Sequence, residues 1–164
     1  MRTSPEWKAL SDDQRAVISK HQESLPITVG AIAKEFGISV LKSTMPGSIS
    51  GEIRETDGII TVKVNRHDVK ERQRFTIAHE IAHFLLHRDR LASGITDDVL
   101  YRSRLTDDLE REANRLAADI IMPAHLIQSA LESFGNFKPD ERYKKIAELA
   151  QVSLAAIKIR LGKQ

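Results

Sequence analysis

Hydrophobic and polar positions alternate with two different periods along this chain, and the change of period separates strands from helices. Residues 49–56 and 59–65 are rich in β-branched residues and flank Asp57-Gly58, a pair suited to a two-residue turn. They are predicted to pair as a hairpin, and residues 38–44 are predicted to form a further strand. Helices are predicted after Ser11, from Thr28 to Gly37, over 71–87, from Thr106 to Met122, from Pro123 to Gly135, and as a pair over 139–162 whose second member is capped by Ser153. Residues 1–10 are predicted to fray, and residues 88–104, which lack a long periodic pattern, to form a long connection.

The helix predicted over 71–87 is apolar around most of its circumference. The apolar positions on its wheel are Phe75, Ile77, Ala78, Ile81, Ala82, Phe84, Leu85 and Leu86. The polar ones, Thr76, His79, Glu80, His83 and His87, fall within one sector about 100° wide. A helix of this kind is buried, and its polar stripe requires a partner because unpaired polar groups are costly inside a protein.

The stripe contains the pattern HExxH at residues 79–83. His79 and His83 are four apart, so their rings lie one above the other and can share one metal ion. Glu80 is turned away from the ion and is placed to act as a general base for a water molecule. His87 lies about 12 Å along the axis from His79, so the three histidines cannot all ligate one ion. The alternative, a solvated pair of surface histidines, is disfavoured by the apolar surroundings.

The chain has no cysteine, so a third protein ligand must be a histidine or an acid. The helix predicted after Thr106 offers Asp107, Asp108, Glu110, Glu112 and Asp119. Its inner stripe consists of Leu105, Leu109, Leu116 and Ile120. Glu112 and Asp119 lie on one edge of that stripe and Glu110 lies on the opposite edge. Periodicity favours Glu112 or Asp119 without separating them.

The segments "RFTIAHEIAHFLLH" and "EREANRLAADIIMP" together resemble the ImmA/IrrE family of zinc metallo-endopeptidases. The resemblance runs from about Leu25 to Leu161 and includes Asn65 before the active helix. It departs from the family pattern at Ala82, Leu116 and Ile120-Ile121, which are core-like changes. The resemblance implies that His79, His83 and Glu112 bind Zn²⁺ and that Glu80 is the catalytic base.

The predicted fold class is α+β, with a small antiparallel sheet packed against a helical body. The resemblance implies a zincin-like, gluzincin-type minimal metalloprotease domain. Residues 1–164 are predicted to form a single domain. It would comprise an N-terminal extension or helix over 1–20, a catalytic core over 21–135 and a helix-turn-helix-like segment over 136–164.

The predicted activity is hydrolysis of a protein substrate. The resemblance implies a helix-turn-helix repressor, encoded nearby, whose cleavage switches on a mobile element or a stress response. Arg88, Arg90, Arg102 and Arg104 in the long connection are predicted to meet an acidic or extended segment of this partner, with a solvated loop as the alternative. An edge of the 49–65 hairpin is a second predicted place for an extended segment to pair. The oxyanion stabiliser is left open between Tyr101, His87 and His125.

Other classes of protein are less well supported. A net charge of +2 does not by itself argue for nucleic acid. Residues 144–161 resemble half of a helix-turn-helix, which makes a DNA-binding regulator the alternative, but the last helix begins with apolar residues. A module that binds a partner without cleaving it is a third possibility. No apolar run is long enough for a membrane span or a signal peptide, so the predicted location is cytoplasmic.

Overall fold

A computed structural model of the chain describes residues 1–98 and 107–163. The helices in this part are α1 (Pro5–Ala9), α2 (Asp12–Ser19), α3 (Val29–Glu35), α4 (Lys70–Leu86), α5 (Asp107–Ile121), α6 (Ala124–Ser133), α7 (Pro139–Ala150) and α8 (Leu154–Arg160). The strands are β1 (Ile38–Ser43), β2 (Ile49–Thr56), β3 (Ile59–Asn65) and β4 (Ile95–Asp98), and Arg88–Ser93 forms a 3-10 helix. The α+β class is confirmed.

Local sequence signals account for most of these boundaries. Ser11 and Gln14 form a capping box at the start of α2, and the Ser153 hydroxyl accepts a hydrogen bond from a backbone N–H of α8. The hairpin turn has φ of 52° at Asp57 and 77° at Gly58, which is why this pair was a reliable signal. The prediction that residues 1–10 fray is wrong, because Ser4 caps a short helix there.

The four strands form one sheet in the order β1-β3-β2-β4. β2 pairs antiparallel with β3 and with β4, whereas β1 pairs parallel with β3, so the sheet is mixed rather than wholly antiparallel. The chain reverses between β1 and β2 and again between β2 and β3, which leaves β1 and β3 running the same way. Both hairpin strands are internal. The prediction that the hairpin has an open edge is therefore wrong, and β1 and β4 are the outer strands of the sheet within the described residues.

Helix α4 lies between one face of the sheet and helix α5. Ile53, Val62 and Val64 of the sheet and Leu116 and Ile120 of α5 are at most 1% exposed and form the core on its two sides. At Gly51 the backbone of β2 approaches α4 so closely that a Cβ atom would lie 2.4 Å from Cγ2 of Thr76. Glycine at this position therefore lets the sheet reach the polar stripe of α4.

The connection over 88–104 is more structured than its sequence suggested. It contains the 3-10 helix and β4, an outer strand of only four residues. Thr106, Tyr101, Arg102 and Arg104 lie outside the described residues. Within the residues that the structure describes, no helix is long and apolar enough to cross a membrane.

Candidate metal centre

The polar stripe of α4 is buried, as the sequence predicted. His79 is 3% exposed, and Glu80 and His83 are 0% exposed. Ile81 and Ala82 beside them are also fully buried, since the sheet, α3 and α5 cover the helix together. These polar groups therefore need partners inside the protein.

The two histidines of HExxH meet a carboxylate from α5. Nε2 of His79 and Nε2 of His83 lie 3.1 Å apart. One oxygen of Glu110 lies 3.1 Å from Nε2 of His79, and the other lies 3.2 Å from Nε2 of His83. Three potential metal ligands thus converge from two helices on one point.

This group of donors fits a zinc ion. Zinc with bonds of about 2.0–2.1 Å in a tetrahedral arrangement separates its ligand atoms by roughly 3.3 Å. This is close to the 3.1–3.2 Å spacings among the two ring nitrogens and the two oxygens of Glu110. Two imidazoles and one carboxylate leave the fourth position for water or substrate, as in catalytic rather than structural zinc sites. His79, His83 and Glu110 are the residues that would hold the ion.

Glu80 lies beside this group without a hydrogen bond of its own. Both of its carboxylate oxygens are buried and have no hydrogen-bond partner in the described part of the chain. One oxygen of Glu80 lies within 4.8 Å of a ring nitrogen of His79 and a carboxylate oxygen of Asp97. A buried carboxyl group left unpaired next to potential metal ligands is placed to bind a reacting water molecule.

The electrostatics of the group agree with this geometry. Burial raises the pKa of Glu80 from 4.5 to about 8. Burial acts to lower the pKa of His79, but the hydrogen bond to Glu110 and the charge of Glu80 outweigh it and raise that pKa to about 9. Burial lowers the pKa of His83 to about 4. Burial would raise the pKa of Glu110, but its bonds to both histidines prevail and hold it well below the usual range. The negative charge of Glu110 thus stabilises positive charge at this point, and a bound cation would supply that positive charge.

The structure places the two sequence-favoured third ligands elsewhere. One oxygen of Glu112 lies 2.9 Å from Nε2 of His87, away from the pair formed by His79 and His83. Asp119 accepts hydrogen bonds from the backbone N–H of Ser4 and from Arg160, both at 2.8 Å. Among the acids described on α5, the one that contacts both HExxH histidines is Glu110.

The helical wheel of α5 alone does not distinguish Glu110 from Glu112 as the third ligand. Glu110 and Glu112 border the same buried stripe on opposite edges, and only the crossing of α4 and α5 decides which edge meets which histidine. Asp97 was also missed, because β4 was not predicted. The alternation in "ITD", with Ile95 buried and Asp97 two residues later on the same face, is the signal that could have found it.

The candidate centre opens onto a cleft of 1510 Å³. His79 and Glu110 line it together with residues of β4 and the start of α8. Of the proposed oxyanion stabilisers, His125 hydrogen-bonds the carbonyl of Gln22 at 2.9 Å, and His87 is buried beside Glu112. Neither lines the cleft, and Tyr101 lies outside the described residues.

The fold and this site define a small α+β domain with a helix-borne, two-histidine, one-carboxylate centre. Residues 33–162 match the model of the Peptidase_M78 family, described as the IrrE N-terminal-like domain. The match covers most of the chain, which therefore belongs to this family, and the resemblance stated from the motifs is confirmed.

Two similar proteins are each called radiation response metalloprotease IrrE. The protein from Deinococcus radiodurans is 39% identical over 105 residues, which is 63% of this chain and 31% of that protein. The protein from Deinococcus deserti is 42% identical over 91 residues, covering 55% and 30%. The chain thus spans about a third of the length of these relatives.

One solved structure, a Mycobacterium tuberculosis transcriptional regulator, resembles the fold with a TM-score of 0.61 at 16% identity. The likeness covers 96% of this chain and 48% of that one. At this identity it supports the fold alone.

Proposed function

We propose that this chain is a zinc-dependent endopeptidase domain in which His79, His83 and Glu110 hold the metal. The observation that carries the proposal is the convergence of these three side chains beside the unpaired carboxyl group of Glu80. We assign the third ligand to Glu110 rather than Glu112, because Glu110 contacts both histidines. The names of the two Deinococcus relatives support the same class of reaction.

A zinc ion held by these three residues would act as a Lewis acid toward the scissile carbonyl and would favour ionisation of water. The chain itself supplies the proton transfer. Glu80 takes a proton from the water that attacks the carbonyl carbon, and it returns that proton to the nitrogen of the leaving amine. Burial raises the pKa of Glu80 in the metal-free protein, and a cation held beside it would favour the ionised form that accepts the proton.

The substrate enters as an extended segment along β4. Ile95, Thr96 and Asp97 of this outer strand line the same cleft as His79. An outer strand offers backbone N–H and C=O groups to which a peptide can add as a further strand. This pairing would lay the scissile bond across the candidate metal centre, and it replaces the hairpin edge that the sequence suggested.

The proposed substrate is a cytoplasmic helix-turn-helix repressor encoded near this protein. Arg90 lines the cleft, and Arg88 precedes it by two residues. Their side chains are 52% and 53% exposed, and each forms an ion pair, Arg90 with Asp89 and Arg88 with Glu55. An acidic group of the partner would therefore meet these arginines by replacing Glu55 or Asp89. Cleavage of such a repressor would switch on the genes that it silences.

The test is incubation of the zinc-loaded protein with the neighbouring repressor and, separately, with casein. Wild type is expected to yield discrete repressor fragments and to leave casein intact. Glu80→Gln is expected to retain zinc and lower the cleavage rate by roughly 10²–10⁴-fold. Near wild-type cleavage by Glu80→Gln would contradict the assigned base, and rapid digestion of casein would contradict the narrow specificity.

The alternative functions predict different binding results with the same protein preparation. The start of α8, where a recognition helix would contact bases, lines the cleft through Leu154, Ala155 and Ala156 instead. A DNA-binding regulator would bind duplex with a steep salt dependence and without zinc. A non-cleaving partner module would bind the repressor in the presence of zinc and leave it intact.

A further inference from the structure

The second half of the α4 stripe forms a chain of hydrogen bonds that leads away from the candidate centre. Nδ1 of His83 lies 2.8 Å from Nδ1 of His87. Nε2 of His87 lies 2.9 Å from an oxygen of Glu112. The His83 side chain is fully buried, that of His87 is 5% exposed and that of Glu112 is 37% exposed. The chain therefore begins at a proposed ligand and ends near solvent.

The positions of the hydrogen atoms in this hydrogen-bond chain follow from which ring nitrogens donate and which accept. If His83 offers Nε2 to a metal ion, its neutral ring carries hydrogen on Nδ1 and donates it to Nδ1 of His87. His87 must then accept at Nδ1, so its own hydrogen lies on Nε2 and is donated to Glu112. Each ring nitrogen and the carboxylate has a single consistent role, with no donor facing a donor.

We propose that His87 and Glu112 are positioning residues that fix the tautomer and ring orientation of His83 and strengthen it as a metal ligand. This inference rests on the proposed metal centre and adds a role for two residues outside it. A carboxylate at the end of such a chain draws the hydrogen toward itself, which makes the nitrogen that faces the metal a stronger donor.

The two histidines of HExxH are held in different ways. Nδ1 of His79 has no hydrogen-bond partner in the part of the chain that the structure describes. His83 thus has an ordered hydrogen-bond chain behind it and His79 does not. Loss of this hydrogen-bond chain should therefore weaken metal binding through its effect on His83.

A purely structural role for His87 is separable from this one. The backbone N–H of His87 donates to the carbonyl of His83 at 2.8 Å and ends α4, whatever side chain residue 87 carries. Replacing the side chain therefore leaves this end of the helix intact. Stability of the metal-free protein reports the structural role, and zinc affinity reports the positioning role.

The experiment measures zinc affinity by competition with a chromophoric chelator. Glu112→Leu, His87→Leu and the double variant are compared with wild type and with Asp108→Leu, which removes an exposed carboxylate from the same helix. The Glu112 and His87 variants are each expected to bind zinc about 10–100-fold more weakly. Asp108→Leu is expected to bind like wild type.

The double variant tests whether Glu112 and His87 affect zinc binding through one hydrogen-bond chain or independently of each other. If Glu112 acts only through His87, adding Glu112→Leu to His87→Leu should change the affinity by less than about twofold. Fully additive losses would overturn the proposal, and so would wild-type affinity in both single variants. Glu112→Gln keeps an oxygen to accept the hydrogen bond and is expected to recover most of the affinity.

Nitrogen-15 NMR of the histidine rings gives a readout that does not depend on affinity. Zinc-loaded wild type is expected to show hydrogen on Nδ1 of His83 and on Nε2 of His87. Hydrogen on Nδ1 of His87 would overturn the proposal. Should His87→Leu fail to fold, the pair Glu112→Leu and Glu112→Gln carries the test at the more exposed position.

Wild type and His79→Ala separate this inference from the metal centre on which it rests. Binding of one zinc by wild type and its loss in His79→Ala support the centre independently of residues 87 and 112. Unchanged affinity in the Glu112 and His87 variants would then overturn this inference alone. Absence of zinc binding by wild type would overturn both.

Discussion

The two ends of the α4 polar stripe meet neighbouring acids of α5 in different ways. At the cleft end, Glu110 reaches His79 and His83 with both oxygens, and its side chain is 22% exposed. At the C-terminal end of the stripe, Glu112 reaches only His87 with one oxygen, and its side chain is 37% exposed. Two acids separated by one residue on a helix thus have unlike partners.

The difference shows how one helix can supply both a ligand and a residue that orients a ligand. Residues two apart on a helix point to nearly opposite sides, so they can flank the same buried stripe and meet α4 at different heights. Glu110, whose two oxygens contact the ring nitrogens of His79 and His83, is suited to binding a metal. Glu112, which contacts only His87, is suited to holding that ring in place.

Removing each acid in turn and measuring metal binding tests this difference between Glu110 and Glu112 most strongly. Structural zinc sites bind with roughly 10–16 kcal/mol, so one of four ligands contributes on the order of 3 kcal/mol. Glu110→Ala is therefore expected to weaken zinc binding by more than about 100-fold. Cobalt substitution should also show a changed visible spectrum, because the ion loses a protein ligand.

Glu112→Ala serves as the matched comparison, since it removes the same chemical group from the same helix. It is expected to leave the cobalt spectrum close to that of wild type, because the set of ligands is unchanged. A changed spectrum in Glu112→Ala together with an unchanged one in Glu110→Ala would restore the ligand set that the sequence suggested.

Sequence reasoning grouped the residues of α4 that the structure brings together, but it left the third ligand open. Periodicity within α4 placed His79, Glu80 and His83 on one buried stripe, because the burial of that helix follows from its own apolar residues. The third carboxylate depends on how two helices cross, and a pattern within one helix contains no such information. The antiparallel hairpin was found from its turn, whereas the four-residue β4 is too short for its alternation to stand out.

In the metal-free protein, prepared with a chelator, Glu80 should make the free energy of unfolding depend on pH. Its pKa is raised from 4.5 to about 8 by burial, so its contribution to stability is fully present below pH 4.5. That contribution is lost as the pH rises through about 8, because ionisation is easier in the unfolded chain. At 1.36 kcal/mol per pKa unit, the loss amounts to a few kcal/mol.

Glu80→Gln has no such ionisation, so its free energy of unfolding should fall less than that of wild type over this range. Urea unfolding of both proteins at pH 5 and pH 8 measures the difference directly. Parallel pH profiles for the two would show that Glu80 is not held in the neutral form. The charge of Glu80 also contributes to the raised pKa of His79, so the difference between the two profiles reports Glu80 together with its coupling to His79.

Gly51→Ala should disturb the cleft end of the α4 stripe and spare its C-terminal end. The new Cβ atom would lie 2.4 Å from Cγ2 of Thr76 and 3.0 Å from the carbonyl oxygen of Lys63, so β2 or α4 must shift. Such overpacking costs about 1–3 kcal/mol. The melting temperature is expected to fall by about 2–12 °C.

Gly47→Ala is the matched control, because a Cβ atom at that position would meet nothing within 4 Å. Its melting temperature should equal that of wild type. Histidine NMR of Gly51→Ala should retain the hydrogen bond between His83 and His87. Equal melting temperatures for the two alanine variants would show that β2 and α4 are not in close contact at Gly51.

The smallest effect is expected at Arg88, which follows His87 in the chain but lies on the surface. Its guanidinium group bonds Glu55 at 3.0 Å and lies 4.6 Å from the centre of the Phe84 ring, with 53% of the side chain exposed. Exposed ion pairs contribute about 0–1 kcal/mol, so Arg88→Ala should change the free energy of unfolding by no more than about 1 kcal/mol. Its zinc affinity should stay within about twofold of wild type, because Arg88 is not part of the chain from His83 to Glu112. A tenfold loss of zinc affinity in Arg88→Ala would mean that any change near the end of α4 weakens the metal, and the contrast between the two ends of the stripe would lose its meaning. Slower cleavage of the repressor with unchanged zinc affinity would instead assign Arg88 to partner recognition.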